Sequence, residues 1–179
     1  MNMNWFIVNI PFFVLLVFLV IKIILSVRKG AVKEICGVVS MILASILVLL
    51  IAFAVRQYFD SQRVIFLVTL ILIFLLLIIY KIFDMAFTTM KLISKIPGVH
   101  LVNKLLGIPL AIAETVILVW TIYCLIMVLD IGAFEKWIMD CVRSNFVMKF
   151  LYRFNYLFFI VANFSKTLGE VNIWDKLGM

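Results

Sequence analysis

Four long hydrophobic runs constrain this chain more than any other feature of its sequence. Apart from one lysine in the first run, one in the third and one glutamate in the fourth, they carry no charge. An α-helix needs about 20 mostly apolar residues to cross a bilayer. The apolar positions are continuous and do not alternate, which favours helices over barrel strands. The sequence therefore predicts an all-α integral membrane four-helix bundle, with spans at about 5–25, 35–55, 64–83 and 105–129.

The composition supports this interpretation. Hydrophobic residues make up 67% of the chain and charged residues 14%, whereas roughly 45–50% of an ordinary globular protein is apolar. A soluble domain of this size exposes a large area that polar groups must cover, so a soluble enzyme or binding domain is excluded. The net charge of +7 is typical of cytoplasmic loops in a membrane protein, and we expect no nucleic-acid partner.

The basic residues also predict the orientation. Basic residues are concentrated between runs one and two and between runs three and four, whereas the connection at 56–63 has two, offset in part by Asp60. Positively charged loops remain in the cytoplasm, so both termini are predicted to be extracytoplasmic. We expect the basic loops to meet anionic lipid headgroups. The basic residues counted for the first connection are Lys22, Arg28, Lys29 and Lys33, and those counted for the third are Lys81, Lys91, Lys95 and Lys104.

The connection between the third and fourth spans resembles a helix itself. Residues 83–96 are largely apolar, with Lys91 and Lys95 four positions apart. This pattern predicts an interfacial helix with its basic side toward headgroups, ended by Pro97 and Gly98. An extension of the third helix into the cytoplasm explains the pattern equally well.

The domain boundary is predicted at residue 130, with a four-helix domain at 1–130 and an extracytoplasmic tail at 131–179. Apolar residues around Trp137 and Cys141 recur at helical spacing and predict an amphipathic helix. Cys141 is expected to react with an impermeant reagent from outside, and a cysteine placed at Ser94 is not. Residues 146–164 are rich in aromatics, but their longest uncharged stretch, 154–165, is too short to cross. An interfacial or re-entrant segment is predicted, and a tilted fifth crossing is the alternative.

A first motif follows the first span. Gly30 permits the positive φ of a tight turn, and Glu34 would meet the positive end of the second helix's dipole. A helical hairpin with topology-fixing charges explains the motif, and a docking point for a lipid or a partner protein is the functional alternative. The motif comprises Arg28, Lys29, Gly30, Lys33 and Glu34.

A second motif, Asn103-Lys104-Leu105-Leu106-Gly107, opens the fourth span. Gly107 begins a stripe of small residues spaced by four, which lets two helix backbones approach closely. The second span has a matching stripe, and we predict that the two faces pack together. The stripes are Gly107, Ala111 and Thr115, and Gly37, Ser40, Ala44 and Ala52.

Glu114 is the one acid well inside a span, and intramembrane acids are costly and often functional. Lys22 and Lys33 are its candidate partners. A structural ion pair and a proton- or cation-coupled pathway both remain open. His100, the single histidine, is predicted to be an ordinary loop residue.

The sequence contains none of the short catalytic, nucleotide-binding or metal-binding signatures, so we predict no enzymatic activity and no cofactor. Cys36, Cys124 and Cys141 form no CxxC or Cys/His pattern, and neither a disulfide framework nor a metal site is expected.

Together, the two motifs resemble the bacterial colicin V production (CvpA) family over about residues 15–130. Asn103 and Lys104 stand where that family often has Asp-Arg, and Ala111 where it often has a further glycine. The resemblance implies a cytoplasmic-membrane protein linked to toxin production or export and to envelope upkeep, with no known reaction. The sequence thus predicts a non-enzymatic accessory or scaffold with a membrane-protein partner or as a homo-oligomer. A small channel or transporter subunit using Glu114 is the alternative.

Overall fold

The computed structural model of the protein describes residues 5–56, 58, 61–89 and 100–167. These residues form helices and contain no strand, which confirms the all-α class. The helices are α1 (Trp5–Val8), α2 (Ile10–Lys29), α3 (Ala31–Arg56), α4 (Gln62–Thr89), α5 (His100–Leu129), α6 (Ala133–Ser144), α7 (Phe146–Arg153) and α8 (Tyr156–Thr167).

Four of these helices, α2 to α5, are long and apolar enough to cross a membrane, as the sequence predicted. The predicted first span is divided at Asn9, where the single turn of α1 ends and α2 begins. Pro11 lies in the first turn of α2. Proline is tolerated there because the first backbone N–H groups of a helix have no partner within the helix.

The centre of the bundle is the pair α3 and α5, which make the most extensive contact of any two helices. Small residues line both faces: Ser40 and Ala44 of α3 and Ala111 of α5 are completely buried. Thr121 of α5 donates a hydrogen bond to the hydroxyl of Ser45 in α3 at 2.7 Å. The predicted packing of the two small-residue stripes is confirmed, and it is the close approach that such stripes allow.

The outer helices α2 and α4 flank this pair and present apolar surfaces outward. Val17 of α2 and Ile71 and Phe74 of α4 are among the exposed large apolar side chains. A soluble monomer rarely leaves a continuous apolar surface of this extent in water. These faces therefore fit contact with lipid chains.

The described part of residues 83–96 does not start a separate helix. α4 continues without a break to Thr89, which is the extension that the sequence allowed as an alternative. Residues 90–96, which include Lys91 and Lys95, lie outside the described residues.

The tail folds back onto the bundle. The buried side of α6 is formed by Ile138, Cys141 and Val142, which confirms the amphipathic helix. α7 and α8 pack against α5, and the longer of them, with 12 residues, extends about 18 Å. That is well short of the roughly 30 Å of a hydrocarbon core, so neither described helix crosses alone. The domain boundary at residue 130 stays a prediction.

The tail also contacts the start of the chain. The indole Nε1 of Trp137 in α6 donates to the carbonyl oxygen of Ile7 at 3.0 Å. Ser144, at the end of α6, donates to Oδ1 of Asn9 at 3.5 Å. The N-terminal turn and α6 therefore lie at the same end of the bundle.

Candidate functional site

The first motif forms the hairpin between α2 and α3. Gly30 has φ +82° and ψ 161°, and its N–H donates to the carbonyl of Ser26 at 2.9 Å. The positive φ is the conformation for which the sequence predicted a glycine. Arg28 and Lys29 are exposed and Lys33 is half-buried, so the hairpin presents a cationic surface at this end of the bundle.

The second motif packs directly against that hairpin. A Cβ atom added to Gly107 would lie 2.7 Å from Oγ and 3.2 Å from the carbonyl oxygen of Ser26. It would also lie 3.6 Å from the backbone nitrogen of Ala31, at the start of α3. Asn103 and Lys104 belong to the first two turns of α5 and precede Gly107 along the helix. The fold therefore brings together two motifs that are far apart in the sequence.

Glu114 is held in an ion pair inside the bundle. Its Oε1 lies 2.5 Å from Nζ of Lys22 in α2, and the two side chains are only 1% and 12% exposed. The prediction of Lys22 as the partner is confirmed. Lys33, the other candidate, makes no ion pair with Glu114 in the described structure.

Tyr80 of α4 completes the surroundings of the ammonium group. Nζ of Lys22 donates to the phenolic oxygen of Tyr80 at 3.4 Å and lies 5.4 Å from the centre of its ring. A cation over an aromatic face is attracted by the ring quadrupole, more strongly when water is excluded. The hydroxyl of Tyr80 and the carboxyl group of Glu114 border the same glycine, since a Cβ atom added to Gly37 would lie 3.6 Å from the former and 2.9 Å from Oε2 of the latter.

Glu34 brings a second carboxyl group to this place. It lies in the first turn of α3, where the sequence predicted only an interaction with the helix dipole, and its side chain is 2% exposed. Its carboxyl group is close enough to feel the charges of Lys22 and Glu114, and it lies one helical turn before Gly37, the residue that borders the carboxyl group of Glu114. Each of the four long helices thus contributes one polar side chain to what we call the inner cluster: Lys22, Glu34, Tyr80 and Glu114.

Glu114 lies deeper in the bundle than the hairpin between α2 and α3. Glu114 is seven residues beyond Gly107 along α5, which corresponds to about 10 Å from the level of the α2–α3 hairpin. If the cationic hairpin lies at the headgroups, Glu114 is about a third of the way through the hydrocarbon core, whereas Glu34, in the first turn of α3, is nearer the hairpin. Charged groups at such a depth face the bundle interior and pair with one another, as they do here.

Gly37 shapes the space beside Glu114. A Cβ atom added to Gly37 would lie 2.9 Å from Oε2 of Glu114. Oε2, the oxygen that Lys22 does not use, is buried and has no hydrogen-bond partner among the described residues. The glycine therefore opens room for the carboxyl group between α3 and α5.

Part of this cluster could have been found in the sequence. The stripe that begins at Gly37 predicts which face of α3 packs against α5. Glu34 stands three residues before Gly37, so it lies on that same face. No comparable signal identifies Tyr80, because one phenolic hydroxyl in an apolar run does not reveal which way it points.

No cofactor site is apparent in the part of the chain that the structure describes. These residues include no group of three or more histidine, cysteine or acidic side chains arranged to hold a metal ion. Cys124 and Cys141 are buried and Cys36 is half-buried, and each is a free thiol.

The expectation that Cys141 reacts from outside is wrong. The thiol is fully buried, because the apolar side of α6 packs against the start of the chain and does not face water. Burial raises the pKa of the Cys141 thiol above its ordinary value. Ser94, the predicted protected position, lies outside the described residues.

At the opposite end of α5, Arg56 of α3 donates a hydrogen bond to the carbonyl oxygen of Val128. The last carbonyl groups of a helix lack partners within the helix and carry the negative end of its dipole. A guanidinium group there joins α3 and α5 at the end of the central pair that lies opposite the hairpin.

Four apolar helices around a buried ion pair define an α-helical multi-pass membrane protein. The family model described as colicin V production protein matches residues 13–152. The chain therefore belongs to the colicin V production protein family, as the two motifs predicted. The matched region includes the hairpin, the inner cluster and nearly all of α6 and α7. No curated protein and no solved structure shows significant similarity to the chain.

Proposed function

We propose that this protein is a non-enzymatic accessory or scaffold of the bacterial cytoplasmic membrane, with both termini on the extracytoplasmic side. It would act in the production or export of a toxin of the colicin V type and in envelope upkeep. Membership in the family supports the link to toxin production. The single observation that carries a scaffold role is the exposed aromatic surface of α7 and α8.

One side of this surface is anchored to the bundle. Asn155, between α7 and α8, is buried, and its side-chain amide donates to the carbonyl of Trp120 in α5 at 3.2 Å. Trp120 in turn donates from Nε1 to the carbonyl of Leu151 at 2.9 Å. Met148 and Phe158 are buried on the same side. The segment is therefore held at a defined position on α5.

The other side is unusually apolar for an exposed surface. Phe146 is 81% exposed, and four further aromatic residues are more than a third exposed. Lys149 and Arg153 are exposed beside them. Aromatic side chains held in place beside cations are typical of interfaces between proteins. The occupant we propose is a membrane protein with acidic side chains at its contact surface. The four further exposed aromatic residues of this surface are Phe150, Phe154, Tyr156 and Phe159.

Crosslinking in living cells tests the scaffold role. A photoreactive phenylalanine analogue at position 150 is expected to give one adduct of defined mass, and the adduct is expected to weaken when Lys149 and Arg153 are changed to glutamate. The matched control is the same analogue at Phe74, which faces lipid on α4 and is expected to give no protein adduct. A protein that is strictly monomeric and gives no adduct at position 150 would contradict the proposal.

The basic hairpin supports a second, lipidic partner. Arg28 and Lys29 are exposed next to the turn at Gly30, and cations at the inner leaflet attract anionic headgroups. Replacing both with glutamine is expected to weaken the preference of the purified protein for anionic lipids. An unchanged preference would contradict this contact.

The inner cluster supports a second candidate function, a small channel or transporter subunit that uses Glu114. The supporting observation is an acid with 1% exposure inside a span. Ion flux into protein-containing liposomes that disappears in Glu114→Gln and is kept in Glu114→Asp would favour it. A protein that passes neither ions nor small solutes would exclude it.

A further inference from the structure

We propose that the inner cluster is a proton-binding site, in which Glu34 and Glu114 share one proton at neutral pH while Lys22 remains charged. The proposal concerns the binding of a proton and not its transport. It therefore depends neither on the accessory role nor on flux through the protein.

The charges of the cluster require a compensating ion. Two carboxylates and one ammonium group leave a net charge of −1 among buried side chains. A lone charge without compensation is strongly disfavoured in a nonpolar interior, and the usual response is a change of protonation. One added proton makes the cluster neutral.

The surrounding charged groups do not remove this imbalance. From α2 the groups that face the cluster are Lys22 and Lys29, and from α4 they are Tyr80 and Asp84. Lys29 is exposed and Asp84 is only half-buried, so their charges act on the cluster less strongly than the charges of its buried members. Tyr80 is neutral as a phenol.

The geometry places the proton between the two carboxyl groups. Oε1 of Glu114 is occupied by Lys22 at 2.5 Å, whereas Oε2 is buried without a partner. Ionised carboxylates can only accept hydrogen bonds. Glu34 is buried one helical turn before Gly37 and on the same face of α3, so it can bond to Glu114 only when one of the two carboxyl groups carries a proton. Gly37, beside Oε2, leaves space for this approach.

Neutralisation of Lys22 is the competing way to adjust the charge, and its contacts disfavour it. The ammonium group makes a short, charge-assisted bond to Glu114 and lies against the ring of Tyr80. Both contacts favour the charged lysine, and a neutral lysine would leave the cluster with a larger negative charge. Two adjacent carboxyl groups commonly share one proton because both cannot ionise at close range.

Infrared spectroscopy of the whole protein in lipid nanodiscs tests the proposal. A protonated carboxyl group has a carbonyl stretch separate from that of an ionised carboxylate, and the band shifts in heavy water. We expect the wild-type protein at neutral pH to show one such group. Glu34→Gln is expected to lose it, because the remaining Lys22–Glu114 pair is already neutral.

A second variant is expected to change the band in the opposite direction. Lys22→Met removes the cation, so both carboxyl groups are expected to be protonated and the band to double. Asp84→Asn is the control and is expected to leave the band unchanged. Size-exclusion chromatography shows whether each variant is folded. The wild-type spectrum needs no variant, so the proposal can be decided even if a substitution prevents folding.

Three results would overturn the proposal. The first is a wild-type spectrum without a protonated carboxyl group at neutral pH. The second is a band that persists unchanged in folded Glu34→Gln. The third is a band that appears only after sodium ions are withdrawn, which would show that a metal cation and not a proton supplies the missing charge.

Discussion

Gly107 of α5 lies so close to Ser26 of α2 that a methyl group at position 107 would approach the serine hydroxyl to 2.7 Å. The contact joins the two motifs that characterise the sequence, and it sets the level at which α5 passes the hairpin. Seven residues further along α5, Glu114 meets Lys22 of the same partner helix. The position of the inner cluster therefore depends on the absence of a side chain at Gly107.

We expect Gly107→Ala to destabilise the protein by about 1–3 kcal/mol, the usual effect of overpacking. Thermal unfolding in detergent measures this. Adding Ser26→Ala is expected to restore part of the loss, because it removes the nearest clashing atom. Ile112→Ala, on the lipid-exposed side of the same helix, is the control and is expected to have little effect. A Gly107→Ala variant as stable as the wild type would show that the helices separate easily there.

We expect Lys22→Met to destabilise the protein at mildly alkaline pH by about 3–5 kcal/mol, because it leaves buried carboxylates uncompensated. The loss is expected to shrink as the pH falls, since a bound proton cancels an uncompensated buried negative charge. Denaturant unfolding at several pH values measures the trend. Asp140→Asn is the control, because its 4.0 Å contact with Arg143 is exposed and of little consequence. Equal destabilisation of Lys22→Met at all pH values would contradict this account.

We expect Asn155→Ala to loosen the tail. Its side chain caps α8 by accepting from the N–H of Phe158 at 3.1 Å and donates to Trp120 of α5. Loss of a cap and of a buried bond is expected to cost about 2–3 kcal/mol and to speed amide exchange in α8. Asn145→Ala, which removes only the half-buried cap of α7, is expected to cost about 1 kcal/mol. If amide exchange in α8 were equally fast in Asn155→Ala and Asn145→Ala, Asn155 would not be the residue that anchors the tail.

We expect Cys141 to resist an impermeant maleimide from either side of the membrane at neutral pH. The thiol is buried, and its raised pKa keeps it protonated where a free cysteine begins to ionise. The reaction requires the thiolate. Labelling is therefore expected to increase only at a pH above the range in which a free cysteine ionises, or after the protein unfolds. Rapid labelling of the folded protein at neutral pH would show that α6 detaches from the bundle.

Exposed positions can report the orientation that Cys141 cannot. In a variant whose three cysteines are replaced by serine, Lys136→Cys on α6 is expected to label in intact cells. Arg28→Cys at the hairpin is expected to label only after the membrane is permeabilised. Both positions are exposed in the structure. The reverse result would place both termini in the cytoplasm.

The spans and the central helix pair could be predicted because each depends on a local pattern. Hydropathy identifies a spanning helix without reference to its neighbours, and the small residues from Gly107 mark the face that a second helix can approach. The pairing of Glu114 with Lys22 followed because both charges belong to the same end of the bundle.

The remaining features depend on how the helices rotate about their axes, which composition does not determine. The sequence left Tyr80 without a role and placed Glu34 at a helix terminus only, yet both lie beside the Lys22–Glu114 pair. Cys141 was expected at the surface, because an amphipathic pattern shows that one side is buried but not what covers it. The break at Asn155 depends on the contact with Trp120, which is distant in the sequence.

The bond from Trp137 to Ile7 has a consequence for biosynthesis. The ribosome delivers α2 to the membrane long before α6 has been synthesised. The contact between Trp137 and the start of the chain can therefore form only after the polypeptide has emerged past residue 144. Until then, α2 depends on the interactions near its other end, with the nascent hairpin and α5. Premature termination before α6 would thus leave every crossing in place but leave the N-terminal turn at Ile7 without its contact to Trp137.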